Sequence, residues 1–546
     1  MVSEKMIAGV WSGHDSSYCI LDGGRPIIHD EYERFIREKE PAGDSVRFLL
    51  DNFKDHGSLK YVATCTPTNK LTEHKESLIE INSIISKNGG GIYSVGHHQA
   101  HAANTFFSSN FKESLILTID GGGVEDDGFE TAFTVWTGKE NEINCKYRLP
   151  MNVLNIGGLW TRATRYIFEL QSGWPRGHQA GSVMAMAALG DREKYVKDFH
   201  KMLTEDIQIA SFKPPNQPKG ALILGNDPKH PYLDKWNKIA RKSEQDKFDL
   251  AAGLQYATEI FFKALMTQII GEVPQKNLCL AGGVSLNCVL IGKIKEWFPQ
   301  IENIFATTVP HDGGIAIGAA QYVWHQVLRN ERIKWKDNFT PYLGKTYSEQ
   351  EVMKSISDKD SVEIKKVSDS DVIDLLDHQK IISVFGQGSE SGRRALGNRS
   401  ILADPRSSKM KEIINDKVKH RQWYRPFAPS ILEEEGKNWF ENYQESPYMS
   451  FALHFKEEKK ELVPAVVHVD GTARLQTVTS NDNNWYHNFL KMWHKKSGVP
   501  ILLNTSFNDR EPICETPDHA INCFLGTDID YLYFYDYGFL LSKVDK

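Results

Sequence analysis

The sequence contains no apolar run of about 18 residues, which excludes a helix long enough to cross a bilayer. It has little cysteine. Cys19, Cys65, Cys145, Cys279, Cys288, Cys514 and Cys523 are scattered and never spaced C-x-x-C, which excludes a disulfide frame or a zinc ribbon and reads as reduced thiols. Basic charge is not in excess: 65 Lys and Arg stand against 71 Asp and Glu, a net charge of −6, which excludes a histone-like polycation but leaves room for a local basic groove. Neither the dinucleotide fingerprint nor the Walker pattern occurs, and there is no short repeat or low-complexity tract. The apolar part of the opening MVSEKMIAGVWSGHDSS is too short for a signal peptide, so the expected location is the cytoplasm. What remains is an ordinary globular composition over 546 residues, enough for about three to four typical domains or two large ones.

The segments MIAGVW, SSYCILDG and GGRPIIHDEYER read as three successive strands. LILTID (115–120) is a further strand that runs into Gly121, Gly122 and Gly123. Helices are expected over 97–107 and 249–271, where apolar residues recur at helical spacing. NLCLAGGVSLN (277–287) reads as a strand, a glycine turn and a helix start, and 306–324 repeats that logic. The chain turns polar and aromatic over 330–350, which places a domain boundary there. Further strands are expected at 380–386, 499–504 and 529–534.

Three glycine-rich turns stand out: Gly13 to Ser17, Asp120 to Gly123, and Gly282-Gly283-Val284-Ser285-Leu286-Asn287. Glycine lets backbone N–H groups approach phosphate oxygens without a Cβ in the way, although a single turn of this kind is ordinarily only a turn. In Gly96-His97-His98-Gln99-Ala100-His101, His97 and His101 lie four apart and share one helix face, which suits one metal ion. The alternative is a polar helix face. The glutamate of H-E-x-x-H is missing, which disfavours a zinc protease. Asp120 and Asp312 are the carboxylates available to complete the set, and two imidazoles with two carboxylates suit Fe²⁺, Mn²⁺ or Zn²⁺. His14, beside Asp15, offers a general base, an anion ligand or simply a turn residue.

The second half concentrates cations. Arg393, Arg394, Arg399, Arg406, Lys417, Lys419, His420, Arg421 and Arg425 fall in QGSESGRRALGNRSILADPR and NDKVKHRQWYRPFAP; Arg474 and the amides and hydroxyls of LLNTSFN follow. Such groups hold a phosphate or a planar carbamoyl group by fixed donors. A nucleic-acid groove is the competing use, disfavoured by the lack of aromatic–basic alternation.

The segments GHDSS, YERFIREK, GHHQAHAAN, LTIDGGG, LAGGVSLNC, VPHDGGIAIGAA, RRALGNRSILADPR, KHRQWYRPFAP, SPYMSF, PAVVHVDGTARLQTV and PILLNTSFNDREPI, in this order from near residue 9 to near residue 520, resemble the O-carbamoyltransferase family. The resemblance implies an actin-like ATPase (ASKHA) fold domain over residues 1–340 and a YrdC-like α/β domain over 341–546. It implies an ATP-dependent enzyme that forms carbamoyl adenylate from carbamoyl phosphate and transfers the carbamoyl group to an acceptor hydroxyl. That hydroxyl belongs to a natural-product sugar or polyketide, or to the hydroxymethyl group of a modified pyrimidine nucleotide or DNA.

Matched by position, His97, His101, Asp120 and Asp312 correspond to the family's metal ligands, and His14 and Lys39 to residues of the transfer site. Gly282, Gly283 and Asn287, with Gly121 and Gly122, correspond to nucleotide-binding turns. Arg394, Lys419, Arg425, Arg474, Asn504 and Ser506 correspond to positions that hold carbamoyl phosphate or adenylate. The expected co-substrate is ATP with Mg²⁺, beside a divalent ion at the His/Asp site; no membrane partner is expected, and a homodimer is an option. The chain departs from the family pattern at Gln422, where relatives carry Glu, at Ser182, where they carry Lys, and in Ser389 to Arg393 before ALGNRS. The alternatives are a tRNA threonylcarbamoyl-type enzyme and a non-catalytic nucleotide-binding scaffold.

Overall fold

A computed structural model describes residues 6–65, 74–170, 179–205, 233–333, 340–357 and 359–544. The chain forms two compact units, Met1–Glu33 with Glu38–Lys336, and Arg34–Arg37 with Asp337–Lys546. Residues 334–339 of the expected boundary stretch lie outside the described residues.

The first unit holds two five-stranded sheets. One contains β1 (Met6–Trp11), β2 (Ser17–Asp22), β3 (Arg25–Glu31), β4 (Leu59–Thr64) and β5 (Gly91–Ser94), in the order β3-β2-β1-β4-β5. The other contains β6 (Glu113–Val124), β7 (Glu130–Lys139), β8 (Glu142–Pro150), β9 (Asn277–Ala281) and β10 (Asn303–Ala306), in the order β8-β7-β6-β9-β10. In each sheet the first three strands form an antiparallel meander and the fourth and fifth run parallel to the first. The second sheet therefore repeats the topology of the first. The central strands are buried on both faces, as Ile7, Ala8, Leu117 and Leu280 show at 0% exposure, which is the signature of a sheet covered by helices on both sides.

Each five-strand run is followed by a helix. His97–Ser108 follows β5, and Ile315–Tyr322 follows β10 through the short turn Asp312–Gly314. These two helices pack together. Their approach is close enough that a Cβ on Gly318 would lie 1.8 Å from the Ala100 carbonyl oxygen, so only glycine fits there. The long helix Glu244–Glu272 starts at Ser243, whose hydroxyl accepts from the Asp246 N–H.

Two local expectations are corrected. The third strand ends at Glu31, and Tyr32, Glu33 and Arg34, expected within it, open the helix Tyr32–Ile36. Asp120 to Gly123 is not a turn: it lies inside β6, where pairing with β7 is interrupted between Ile119 and Gly123. The glycines there permit a bulge, and the strand continues past it.

The second unit is built on an eight-stranded mixed sheet, order β11-β20-β19-β12-β13-β18-β14-β17. Its strands are β11 (Val362–Lys366), β12 (Ile382–Phe385), β13 (Arg399–Ala403), β14 (Ala428–Leu432), β17 (Gln476–Val478), β18 (Ile501–Ser506), β19 (Tyr531–Phe534) and β20 (Phe539–Lys543); β15 (Ala452–His454) and β16 (Thr472–Arg474) pair separately. The helix Asn484–Ser497 packs on β14 and β18, and Pro517–Leu525 on β12 and β19. The segment Arg34–Arg37 belongs with this unit: Arg37 donates to the carbonyls of Pro512 and Ile513, and Arg34 to that of Gly392.

Candidate functional site

In the first unit, equivalent parts of the two repeats converge. The helix after β5 supplies His97 and His101, and the turn after β10 supplies Asp312. The strand β6 supplies Asp120, and the turn after β1 supplies His14. His97 Nε2 lies 3.3 Å from Asp120 Oδ2 and 3.6 Å from Asp312 Oδ1. His101 Nε2 lies 3.2 and 3.3 Å from the same two oxygens. One donor atom from each of the four residues falls within 4.8 Å of the others. Ligands about 2.1 Å from a shared ion are separated by roughly 3–4 Å, so the set fits a divalent cation of the borderline class.

The electrostatics agree. Burial would raise the Asp120 carboxyl, but hydrogen bonds from His101 and His97 hold it well below the usual carboxylate range. Burial would lower the His101 imidazole, but its bonds to Asp120 and Asp312 push it up to about 9. Two carboxylates here require positive charge between them, which protons on imidazole supply when no cation does.

The backbone fixes these carboxylates. Asp120 Oδ1 accepts from the N–H of Gly121 at 2.7 Å and of Gly283 at 3.3 Å. Gly282 N–H donates to the Pro310 carbonyl at 2.7 Å. These amides thus orient the Asp120 carboxylate and join the ends of neighbouring segments. Gly122 sits beside them in the bulge of β6. Asn287 caps the helix Cys288–Gly292, accepting from the Leu290 N–H, and donates to Gln255 at 2.9 Å. The Gly313 carbonyl beside Asp312 accepts from Ser17 Oγ and His29 Nε2, each at 2.8 Å. A Cβ on Gly123 would lie 2.2 Å from the His97 ring, so glycine is required for that ring to pack against β6.

His14 sits at the edge of this set, with its side chain 56% exposed. Its Nδ1 is 3.0 Å from Asp15 Oδ2 and its Nε2 3.2 Å from Asp312 Oδ2. The Asp312 charge and then the Asp15 hydrogen bond push the imidazole up from its ordinary range. Lys39 is half-buried in the irregular segment before the helix Ser45–Asn52.

In the second unit Arg421, Arg425 and Arg474 lie close enough to act on one another, near Lys419 in sequence, whereas Arg406 pairs with Asp377 and Asp404 and Arg399 is buried against Phe385. Lys419 is buried, and its Nζ donates to the Ser506 carbonyl (2.6 Å), the Asn508 carbonyl (2.7 Å) and Asn508 Oδ1 (2.6 Å), with Ser506 Oγ at 3.3 Å. Burial, and then Arg425 and Arg474, push the Arg421 guanidinium well down. Burial, and then Arg474, push Arg425 down to about 10. Among the described residues no carboxylate pairs with Arg421 or Arg425. Three partly dehydrated cations held against mutual repulsion form a ready receptor for a polyanion.

Asn504, on the same face of β18 as Ser506, donates from Nδ2 to Gln476 Oε1 (2.8 Å), Ser430 Oγ (3.0 Å) and the Ala395 carbonyl (3.2 Å), while its Oδ1 is buried with no hydrogen-bond partner. Arg394 precedes Ala395 in the loop leading to β13. Glu390 Oε1 organises that loop by accepting from the N–H groups of Leu396, Asn398 and Arg399.

Sequence reasoning missed Asn415. It lies in the π-turn Ile414–Val418 that ends at Lys419. Its Nδ2 donates to the carbonyls of Arg425 (2.9 Å) and Trp423 (3.3 Å), its Oδ1 accepts from Arg421 Nε (2.7 Å), and its carbonyl accepts from the Arg421 N–H (3.0 Å). One buried amide therefore holds the arginine loop. Only its place in NDKVKHR, beside the basic run, pointed to it.

Comparison with known proteins places the chain in a family. Residues 68–321 match the family described as carbamoyltransferase N-terminus, and residues 373–541 match carbamoyltransferase C-terminus. The chain belongs to the carbamoyltransferase family. This carbamoyltransferase is 36% identical to the nodulation protein NolNO of Sinorhizobium fredii, over 95% of this chain and 78% of that one. It is 32% identical to an uncharacterized protein of Synechocystis, over 95% of this chain and 89% of that one. Among solved structures, full-length HypF in its phosphate- and nucleotide-bound form aligns with a TM-score of 0.34 at 13% identity, over 61% of this chain and 56% of that chain. The carbamoyltransferase is an enzyme of α/β fold, and no helix among its described residues is long and apolar enough to cross a membrane.

Proposed function

We propose that this carbamoyltransferase is an ATP-dependent O-carbamoyltransferase with two divided tasks. In the second unit water cleaves carbamoyl phosphate to carbamate and phosphate, and a carbamate oxygen then attacks the α-phosphorus of ATP, displacing pyrophosphate and leaving carbamoyl adenylate. The first unit transfers the carbamoyl group to an acceptor hydroxyl. The repeated strand order supports an actin-like ATPase (ASKHA) fold for residues 1–340, and the mixed sheet is read as the YrdC-like domain, residues 341–546.

The observation that carries the reading is the crowding of Arg421, Arg425 and Arg474 beside Lys419. A carbamate carbon is a poor electrophile, and adenylation supplies a good leaving group. That chemistry collects phosphate charge at one place, and fixed cations in a partly dehydrated site offset it without reorganising. Lys419 Nζ is fixed by the carbonyls of Ser506 and Asn508 and by Asn508 Oδ1, which sets its cation beside the arginine loop. Asn504 Oδ1 is a buried acceptor suited to a carbamoyl N–H, which neither an acetyl nor a bare phosphate group offers.

In the first unit, His97, His101, Asp120 and Asp312 would hold the divalent ion, which when bound supplies Lewis-acid polarisation or neutralises phosphate charge. Asp15 orients His14 through Nδ1, and His14 Nε2 faces the metal ligands, where it handles a proton during transfer. Lys39 is assigned to the same site. Gly121, Gly122, Gly282, Gly283 and Asn287 are assigned to the nucleotide side, with the amides of Gly121 and Gly283 acting through Asp120.

The test is pyrophosphate release from ATP with and without carbamoyl phosphate, followed by a mass-spectrometric screen of hydroxyl acceptors for the gain of one carbamoyl group. Amino sugars, polyketides and hydroxymethylated nucleotides or DNA form the screen. Turnover that ignores carbamoyl phosphate but requires bicarbonate and threonine refutes the proposal in favour of threonylcarbamoyl chemistry.

A further inference from the structure

The helix His97–Ser108 carries a third histidine that takes no part in the metal set. His98 is one residue from His97, so it points off the face shared by His97 and His101. It is completely buried, and both ring nitrogens are engaged. Nε2 lies 3.0 Å from the Thr131 carbonyl oxygen, and Nδ1 lies 2.5 Å from Thr118 Oγ1. Thr118 Oγ1 is 2.5 Å from Thr134 Oγ1, and Trp136 Nε1 donates to Thr134 Oγ1 at 2.6 Å.

The hydrogen order along this chain is set from the histidine end. The Thr131 carbonyl can only accept, so His98 Nε2 carries the hydrogen, and in the neutral ring Nδ1 accepts from Thr118. Thr118 has then spent its one hydrogen and accepts from Thr134, which also accepts from the Trp136 indole N–H.

The chain also fixes a register. Thr118 and Thr134 are direct partners across β6 and β7. Thr118 precedes Asp120 by two residues on β6, while His98 lies between His97 and His101 on the helix. Glu125, just past β6, accepts from the His98 N–H at 2.8 Å and so grips the helix start as well. The same strand thus touches the helix through His98 and through the two metal-facing histidines. A rotation of the helix that moved His97 and His101 away from Asp120 would also break the bond to Thr118.

We propose that His98, Thr118, Thr134 and Trp136 form a positioning relay that sets the rotation and height of the helix His97–Ser108 on β6, and thereby the affinity of the His97/His101/Asp120/Asp312 set for its metal. This rests on the reading of that set as a metal centre.

The experiment measures Co²⁺ affinity by chelator competition, together with the visible spectrum of the Co²⁺ complex, on the full chain. Thr118→Val keeps shape and removes the hydroxyl; it is expected to weaken Co²⁺ binding about tenfold and alter the spectrum. Thr118→Ser keeps the hydroxyl and is expected to restore wild-type affinity. Trp136→Phe removes only the far donor and is expected to weaken binding about threefold, which tests the relay even where Thr118→Val does not fold. Wild-type affinity and spectrum in Thr118→Val, or in a folded Trp136→Phe when Thr118→Val does not fold, overturn the relay alone. Absence of Co²⁺ uptake by the wild type, or equal uptake by His97→Ala, overturns the metal reading and the relay with it.

Discussion

Replacing Arg425 with methionine is expected to stabilise the second unit while disabling it. Burial and the Arg474 charge lower the Arg425 guanidinium from its ordinary range to about 10. For a cation lowered in this way, the folded state holds the proton less tightly than the unfolded chain does. The charged group therefore opposes folding at neutral pH, and the opposition is relieved only as the pH rises through about 10. The gap corresponds to about 3 kcal/mol. Residual contact with water and the packing lost with the guanidinium reduce the recoverable part to about 1–2 kcal/mol. For a unit of this size that is a rise in Tm of roughly 2–8 °C. The assay is thermal unfolding with and without inorganic phosphate. In the wild type, phosphate at about 100 times its Kd adds about 3 kcal/mol by mass action; in Arg425→Met that increment should largely vanish. Carbamoyl-phosphate-dependent pyrophosphate release should fall at least about 100-fold. A variant less stable than the wild type and still equally stabilised by phosphate would refute the account of the arginine cluster as strained in the absence of an anion.

Asn415→Ala, which frees the loop carrying Arg421 and Arg425, should raise the KM for carbamoyl phosphate about tenfold in a pyrophosphate-release assay, with the fold retained by circular dichroism. His14→Ala should slow carbamoyl transfer to an acceptor far more than pyrophosphate release; equal loss of both would contradict the division of labour. Because His101 is pushed up to about 9 and must be neutral to bind metal, uptake should release protons near neutral pH and weaken as the pH falls below that value, as calorimetry in buffers of different ionisation enthalpy would show. Gly123→Ala puts a methyl group into the His97 ring and should weaken metal binding, read as loss of the metal-induced rise in Tm.

Much of the first site was legible in the sequence because its signals are local. The i, i+4 spacing of His97 and His101 needs only helix geometry, and each carboxylate stands beside glycines that stay close to a strand end or a helix start. The bulge at Asp120 was less legible. A glycine triplet after an apolar strand reads as a turn, yet here β6 resumes its pairing at Gly123. Tyr32–Arg34, expected in the third strand, is helical for the opposite reason: its apolar and charged residues suit either period, so the pattern alone does not choose. The use of the Gly121 and Gly283 amides on Asp120, and of Asn415 on three residues of the arginine loop, depends on contacts between segments that no one-dimensional spacing encodes.

The repeated topology explains why residues as far apart as His14 and Asp312 meet. In each sheet the first strand is central, flanked by the antiparallel meander on one side and the parallel strands on the other. The C-terminal end of that strand and the helix start after the fifth strand fall on the same edge, because strands one, four and five run parallel. Two such edges facing each other supply the turn after β1, bearing His14, the bulge within β6, bearing Asp120, and two helix starts, bearing His97 with His101 and Asp312. The helices are locked together at Gly318, against the Ala100 carbonyl. The ligand set is consequently shared across two halves, so a displacement of either repeat separates donors contributed by both. Bound metal should therefore stabilise the packing of one repeat on the other as well as the local turns, and its removal should loosen hydrogen-exchange protection in both β1 and β6 rather than in either alone.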